Sequence, residues 1–195
     1  ALHLLMKQLK TQPRTSEGGF WHKKIYPYQM WLDDIYMSAP FYVEYADRFN
    51  ESNGFDDAAH QILLIARHTR DPQTGLYYHA WDESKMQKWA HPQTGCSTHF
   101  WGRAIGWYAM AIVDVLDFLP ASHQARNWIL TIFERMIQAL VQFQDTDTGL
   151  WYQVLDQASR EGNYTEASAS CMFVYALAKG IRKGYLAPEY LDAAR

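Results

Sequence analysis

The run Asp71-Pro72-Gln73-Thr74-Gly75-Leu76-Tyr77-Tyr78-His79-Ala80-Trp81-Asp82 returns later as Asp145-Thr146-Asp147-Thr148-Gly149-Leu150-Trp151-Tyr152-Gln153-Val154-Leu155-Asp156, and Gly19-Phe20-Trp21-His22 is a weaker third copy. Each copy stands between two stretches of helical period, so the chain repeats one plan: a helix, a Gly-aromatic turn with a polar excursion, then a second helix. In the first unit the pattern predicts helices over Leu2 to Lys10 and Pro27 to Phe49, with Pro27 at the first helical position and a break from Asn50 to Gly54. In the second it predicts Asp56 to His68, then a helix starting after Ser97 and stopped at Leu119 by Pro120. The third has Ser122 to Gln144 and Glu166 to Lys183, ended by Gly184, and Tyr185 to Arg195 opens like a further unit. The Gly-Leu-Tyr-Tyr and Gly-Leu-Trp-Tyr runs suit brief strands but supply no full sheet.

The class is therefore all-α. Hairpins of this kind cannot each bury both faces alone, so they stack in a solenoid or close into a toroid. One domain over residues 1–195 is expected, read as a segment of a longer protein because the chain lacks an initiator Met and both ends fall mid-pattern.

With 48% hydrophobic and 20% charged residues the chain can bury a sizeable core. Eight Trp and 13 Tyr exceed what helix packing needs, and rings with a polar tip suit a cleft that stacks on sugar faces. A formal charge of −3 argues against nucleic-acid or membrane binding through a basic surface. Cys96 and Cys171 are too few and too far apart for a disulfide framework or a zinc site, which fits a reducing compartment. No apolar run is long enough for a bilayer span, and the N-terminus lacks signal-peptide features.

Chemically suggestive residues gather in the excursions and the first turns after them. Met30, Asp33, Met37, Phe41 and Glu44 recur at helical spacing, which puts Asp33 on a mostly apolar stripe where desolvation raises its pKa. A capping role is the competing reading for Asp33 or Asp34, and spacing alone leaves the two open. If the second helix of each hairpin lines a toroid, their N-terminal ends converge on one mouth. Into it would point His22, Lys23 and Asp33, then His79, then Trp101, Arg103 and Trp107, then Tyr164, Glu166, Ser168 and Ser170. An Arg beside Trp grips a carboxylate while the rings stack on a pyranose. Asp82 is a second candidate acid, though Ser84 and Lys85 predict an exposed turn. His91, His99, Lys85 and Lys88 read as solvated loop residues, and Trp107 has a core reading. No Ser/His/Asp arrangement, phosphate loop or HExxH motif is present, and Asp33 has no paired carboxylate of the ordinary glycosidase kind.

On the segments Arg14 to Lys23, Tyr26-Pro27-Tyr28-Gln29-Met30-Trp31-Leu32-Asp33, Gly75 to Glu83, Phe100-Trp101-Gly102-Arg103-Ala104-Ile105-Gly106-Trp107-Tyr108 and Gly149 to Val154, the chain resembles unsaturated rhamnogalacturonyl hydrolases, glycoside hydrolase family 105, and more distantly unsaturated glucuronyl hydrolases. The resemblance implies an (α/α)6 toroid, with these three hairpins its middle portion. It implies Asp33 as general acid/base, and His22, Met30, His79, Trp101, Arg103 and Trp107 as substrate-binding residues. It also implies a second important Asp upstream of Ala1. The implied substrate is a small oligosaccharide ending in a 4,5-unsaturated uronic acid, above all unsaturated galacturonyl-rhamnose. As implied, the acid protonates C4, water adds at C5, and the hemiketal opens. No metal or organic cofactor, nucleic acid or membrane is implied, and cytoplasmic action on imported oligosaccharides is expected. The competing readings are another toroid enzyme, an epimerase or ordinary glycosidase, and a noncatalytic uronate-binding toroid.

Overall fold

The computed structural model describes residues 2–195. Six α-helices dominate: α1 (Leu2–Thr11), α2 (Leu32–Phe49), α3 (Asn53–Thr69), α4 (Gly102–Phe118), α5 (Arg126–Leu140) and α6 (Ala167–Arg182). Short 3₁₀ turns follow at Val141–Phe143 and Pro188–Ala194. α2 packs on α4 and α4 on α6 in an inner row, while α3 and α5 form the outer layer with α1 on the flank of α2.

The middle helix shows why. α4 is flanked on both sides and backed by the outer layer, and accordingly Ala104, Ile105, Tyr108, Ala109, Ala111, Ile112, Val113, Val115 and Leu116 are all buried. Gly106 lets α6 come close, because a Cβ there would lie 2.9 Å from Met172 Cβ. Leu119 takes an extended conformation ahead of Pro120 and ends α4. Asn50, in the left-handed region, ends α2.

The repeated turn is one physical device. Asp71 and Asp145 each accept from the amide and hydroxyl of a Thr three residues on, and Gly75 and Gly149, at φ 77° and 69°, donate back to the Asp carbonyl. Leu76, Tyr77 and Trp151 behind these glycines drop into the core. A further copy, unread from sequence, is His91-Pro92-Gln93-Thr94-Gly95-Cys96, in which His91 Nδ1 replaces the carboxylate as acceptor.

The expected helix over Pro27 to Phe49 is corrected at its start. Tyr28 turns the chain with φ 64°, and Gln29–Trp31 forms a strand, β1, paired antiparallel with β2 (Ala80–Asp82) so that Met30 faces Trp81. The ladder bonds to the second excursion, with Leu32 N donating to His79 O at 2.9 Å, outcompete helical bonds until Leu32. Met30 therefore lies in a strand, one helical turn from nothing. Similarly α4 begins at Gly102, after the Trp101 to Val154 bridge, and α5 begins at Arg126, after a turn closed by His123 N on Pro120 O. No helix among the described residues is long and apolar enough to cross a membrane.

Candidate active site

The ribbon of β1 and β2 joins the first excursion to the second just where α2 begins, so the N-terminal turns of α2 and α4 share one end of the inner row. Asp33 and Asp34 occupy the first turn of α2. Asp34 is consumed by structure: its carboxylate accepts from Trp31 N at 3.3 Å, closing the helix start, and lies 2.6 Å from His22 Nδ1. Asp33 is not consumed. Its Oδ2 is buried and has no hydrogen-bond partner. Burial raises the Asp33 carboxyl above the usual carboxylate range, and Asp34 adds to the rise; the amide of Asp33, His22 and Arg103 oppose it. The capping reading thus belongs to Asp34, and Asp33 is the acid with a raised pKa that the sequence anticipated, although the supposed stripe is not the cause: Met37 is 60% exposed.

Around this acid stand rings. His22 stacks on Trp31 at 3.9 Å between centroids and on Tyr26 at 5.7 Å. His79 meets Trp31 and Trp101 edge-on at 5.4 and 5.7 Å. Burial, with His22 and His99 adding, pushes the His79 imidazole down to about 4, so it is neutral at physiological pH and offers one ring donor and one ring acceptor without carrying charge. The Arg103 guanidinium lies 4.6 Å over the Trp101 ring and 3.4 Å from Glu166. Burial alone would raise the Glu166 carboxyl, but Ser168 and the Ala169 and Ser168 amides, with Arg103, hold it below its ordinary value. Trp101 Nε1 is a further buried donor without a partner. Trp107 packs on Tyr36 at 4.8 Å further along the inner row.

Structure thus brings together His22, Asp33, His79, Trp101 and Arg103, joined by Glu166 and Ser168 from the third unit. Met30 is 2% exposed, and a Cβ on Gly19 would overlap its sulfur, so it packs beneath the site. Lys23 is exposed and lies 5.8 Å from the Tyr26 ring, Tyr164 is exposed, and Ser170 is turned inward to Trp151 N and Glu166 O. Asp82 is corrected: it is fully buried in β2, where it accepts from Ser84 and Gln87. Sequence reasoning did not single out Trp31 and Tyr26 as site residues, whose one signal was the density of aromatics between Phe20 and Trp31.

A family model described as Glycosyl Hydrolase Family 88 matches residues 1–195. The chain belongs to this family. Among solved structures, a glycoside hydrolase from family 105 of C. acetobutylicum ATCC 824 superposes with a TM-score of 0.95 at 49% identity, covering 98% of this chain and 53% of that one. This places the chain with the family 105 members and gives it a portion of their (α/α)6 toroid. The unsaturated rhamnogalacturonyl hydrolase YesR of Bacillus subtilis (strain 168) is 31% identical over 189 residues, 94% of this chain and 51% of that protein. The 24.9 kDa protein in picA locus of Rhizobium radiobacter is 41% identical over 158 residues, 81% of this chain and 66% of that protein. The chain thus spans between half and two thirds of the length of these relatives.

Proposed function

We propose that the protein is an unsaturated uronyl hydrolase in which Asp33 is the general acid/base and the substrate is an oligosaccharide ending in a 4,5-unsaturated uronic acid, unsaturated galacturonyl-rhamnose first among them. The observation that carries this reading is the division of labour between neighbours: Asp34 is held by Trp31 N and His22, while Asp33 keeps a buried, unpartnered oxygen and a raised pKa. A carboxyl whose pKa is raised by burial keeps its proton to higher pH than an ordinary one and can deliver it to C4 of the vinyl ether, leaving an oxocarbenium-like centre at C5. Water adds at C5, its proton passing to the Asp33 carboxylate; the hemiketal then opens by breaking C5–O5 to a ketone, and the hemiacetal left at C1 collapses to an aldehyde and expels the neighbouring sugar as its alcohol. One carboxylate serves in turn as acid and base. Arg103, displayed over Trp101 with part of its fork directed to Glu166, is the residue proposed to hold the substrate carboxylate, and His22, His79 and Trp107 to border the ring. The likeness to YesR supports the choice of substrate.

The test follows the ultraviolet absorbance of unsaturated galacturonyl-rhamnose with the full-length protein, because hydration destroys the conjugated chromophore. Absorbance lost with wild type and retained with Asp33→Asn supports the assignment. Retention with both, in folded protein, overturns it.

A further inference from the structure

On the outer layer, Trp128, Thr131 and Arg135 lie along one stripe of α5 and face Leu63 and Arg70 of the α3 end across an open groove of about 350 Å³ that Tyr77 floors. None of these residues belongs to the cluster around Asp33.

The charge in this groove is unbalanced. Of the ten arginines, Arg14, Arg48, Arg67, Arg103 and Arg195 pair with carboxylates, Arg126 binds main-chain carbonyls and Arg160 binds Gln157. Arg70, Arg135 and Arg182 are left without a side-chain partner among the described residues, and two of those three line this one groove. The carboxylate of Asp71, which follows Arg70 in the chain, is occupied by the amide and hydroxyl of Thr74. Beneath the guanidiniums the Tyr77 ring is wholly buried and forms a closed floor. At the other end Trp128 is 68% exposed, an indole lying open on a helix wall.

Each feature narrows the ligand. Two planar forks call for a carboxylate or an oxyanion. The open indole calls for a flat apolar face, which a pyranose offers and a bare phosphate or sulfate does not. The volume falls within the range of small-ligand sites. We propose that this groove is a second saccharide site, taking a uronic acid unit with its carboxylate between Arg70 and Arg135 and its ring on Trp128. Its occupancy depends on no step at Asp33, and its effect is to hold the protein against acidic polysaccharide.

The probe is saturated digalacturonate, which has no double bond to hydrate, titrated calorimetrically into the full-length protein beside neutral digalactose. A binding event with digalacturonate that digalactose does not show, weakened about tenfold or more by Trp128→Ala and by Arg135→Ala, is the expected result. Turnover of the unsaturated substrate in both variants should match wild type, so failure of the Asp33 reading shows separately, as absent turnover in all three. Both substitutions are on exposed positions, and Arg135→Lys, which keeps the charge but loses the fork, should give an intermediate affinity. Equal binding by wild type and Trp128→Ala, no binding by wild type, equal binding of digalactose, or displacement by a poly-glutamate peptide at matching affinity would each overturn the proposal.

Discussion

Asp33 and Asp34 share the first turn of α2, where the helix dipole favours both anions, yet only Asp34 is given partners. The consequence for stability has a definite sign. The Asp33 carboxyl is raised in the fold from an ordinary 3.8, so the native state binds more protons than the unfolded chain above that pH, and stability is lost as pH rises through the interval between the two values. Asp33→Asn should therefore melt higher than wild type at pH 7, with the gain shrinking as pH falls toward 4 in thermal scans, while kcat on the unsaturated disaccharide drops about 10²- to 10⁴-fold. His79 has the opposite dependence. Its imidazole moves from 6.5 down to about 4, so its contribution is present above 6.5 and is lost as pH falls from there to 4. His79→Gln should flatten the melting temperature across that window. Asp34→Ala is expected to cost about 1 kcal/mol in denaturant unfolding through loss of the helix-start bond. It should lower kcat/KM through a displaced His22, and the pH profile set by Asp33 should move toward lower pH, because the Asp34 charge that helps raise its carboxyl is gone. At this scale residue spacing told most of the residues that gather, but left open which aspartate is free, a choice that only the family resemblance made. In the fold that choice rests on Trp31 N and His22, whose positions follow from a strand pairing that no local period announces.

Elements were the most legible level. The Asp71 and Asp145 turns were visible because the same acceptor, Thr and Gly stand at the same offsets, and each makes the same bonds. The His91 copy was missed because an imidazole nitrogen does the carboxylate's work there. Helix starts were misjudged by several residues at Pro27 and Ser97, where strand pairing and bridges delay the first helical bond, and at Ser122, where a turn of His123 N on Pro120 O does. Between α4 and α6, the Lys179 ammonium is 8% exposed and lies 2.6 Å from both Asp114 and Asp117. Lys179→Met would leave Asp114 with only the Tyr175 hydroxyl, while Asp117 keeps Lys183, and should cost about 2 kcal/mol in urea unfolding, with Asp114→Asn in the same background restoring part of the loss.

For the whole molecule, the inner row and outer layer reproduce a portion of a toroid; helical period with repeated turns foresaw stacked hairpins, and the family resemblance chose the toroid over a solenoid. What period alone could not foresee is how much apolar surface this chain leaves open. Leu4 is 71% exposed, Leu2, Leu5 and Phe49 lie between 43% and 47%, and a groove on that flank is lined by Phe41, Tyr45 and Phe49. Residues 1–195 prepared alone should self-associate in sedimentation velocity, and Leu4→Lys with Leu5→Lys should shift the material toward monomer.

The β1–β2 ribbon also bears on how such proteins can diverge. Because Gln29–Trp31 is registered against Ala80–Asp82, an insertion within either strand would turn the acid out of its place, whereas the stretch from Lys85 to Lys88, exposed apart from half-buried Gln87, hangs beyond the pairing. Side-chain changes there leave the pairing intact so long as the Ser84 and Gln87 amides still reach the buried Asp82 carboxylate, so a lineage can vary that loop while the proton donor stays anchored.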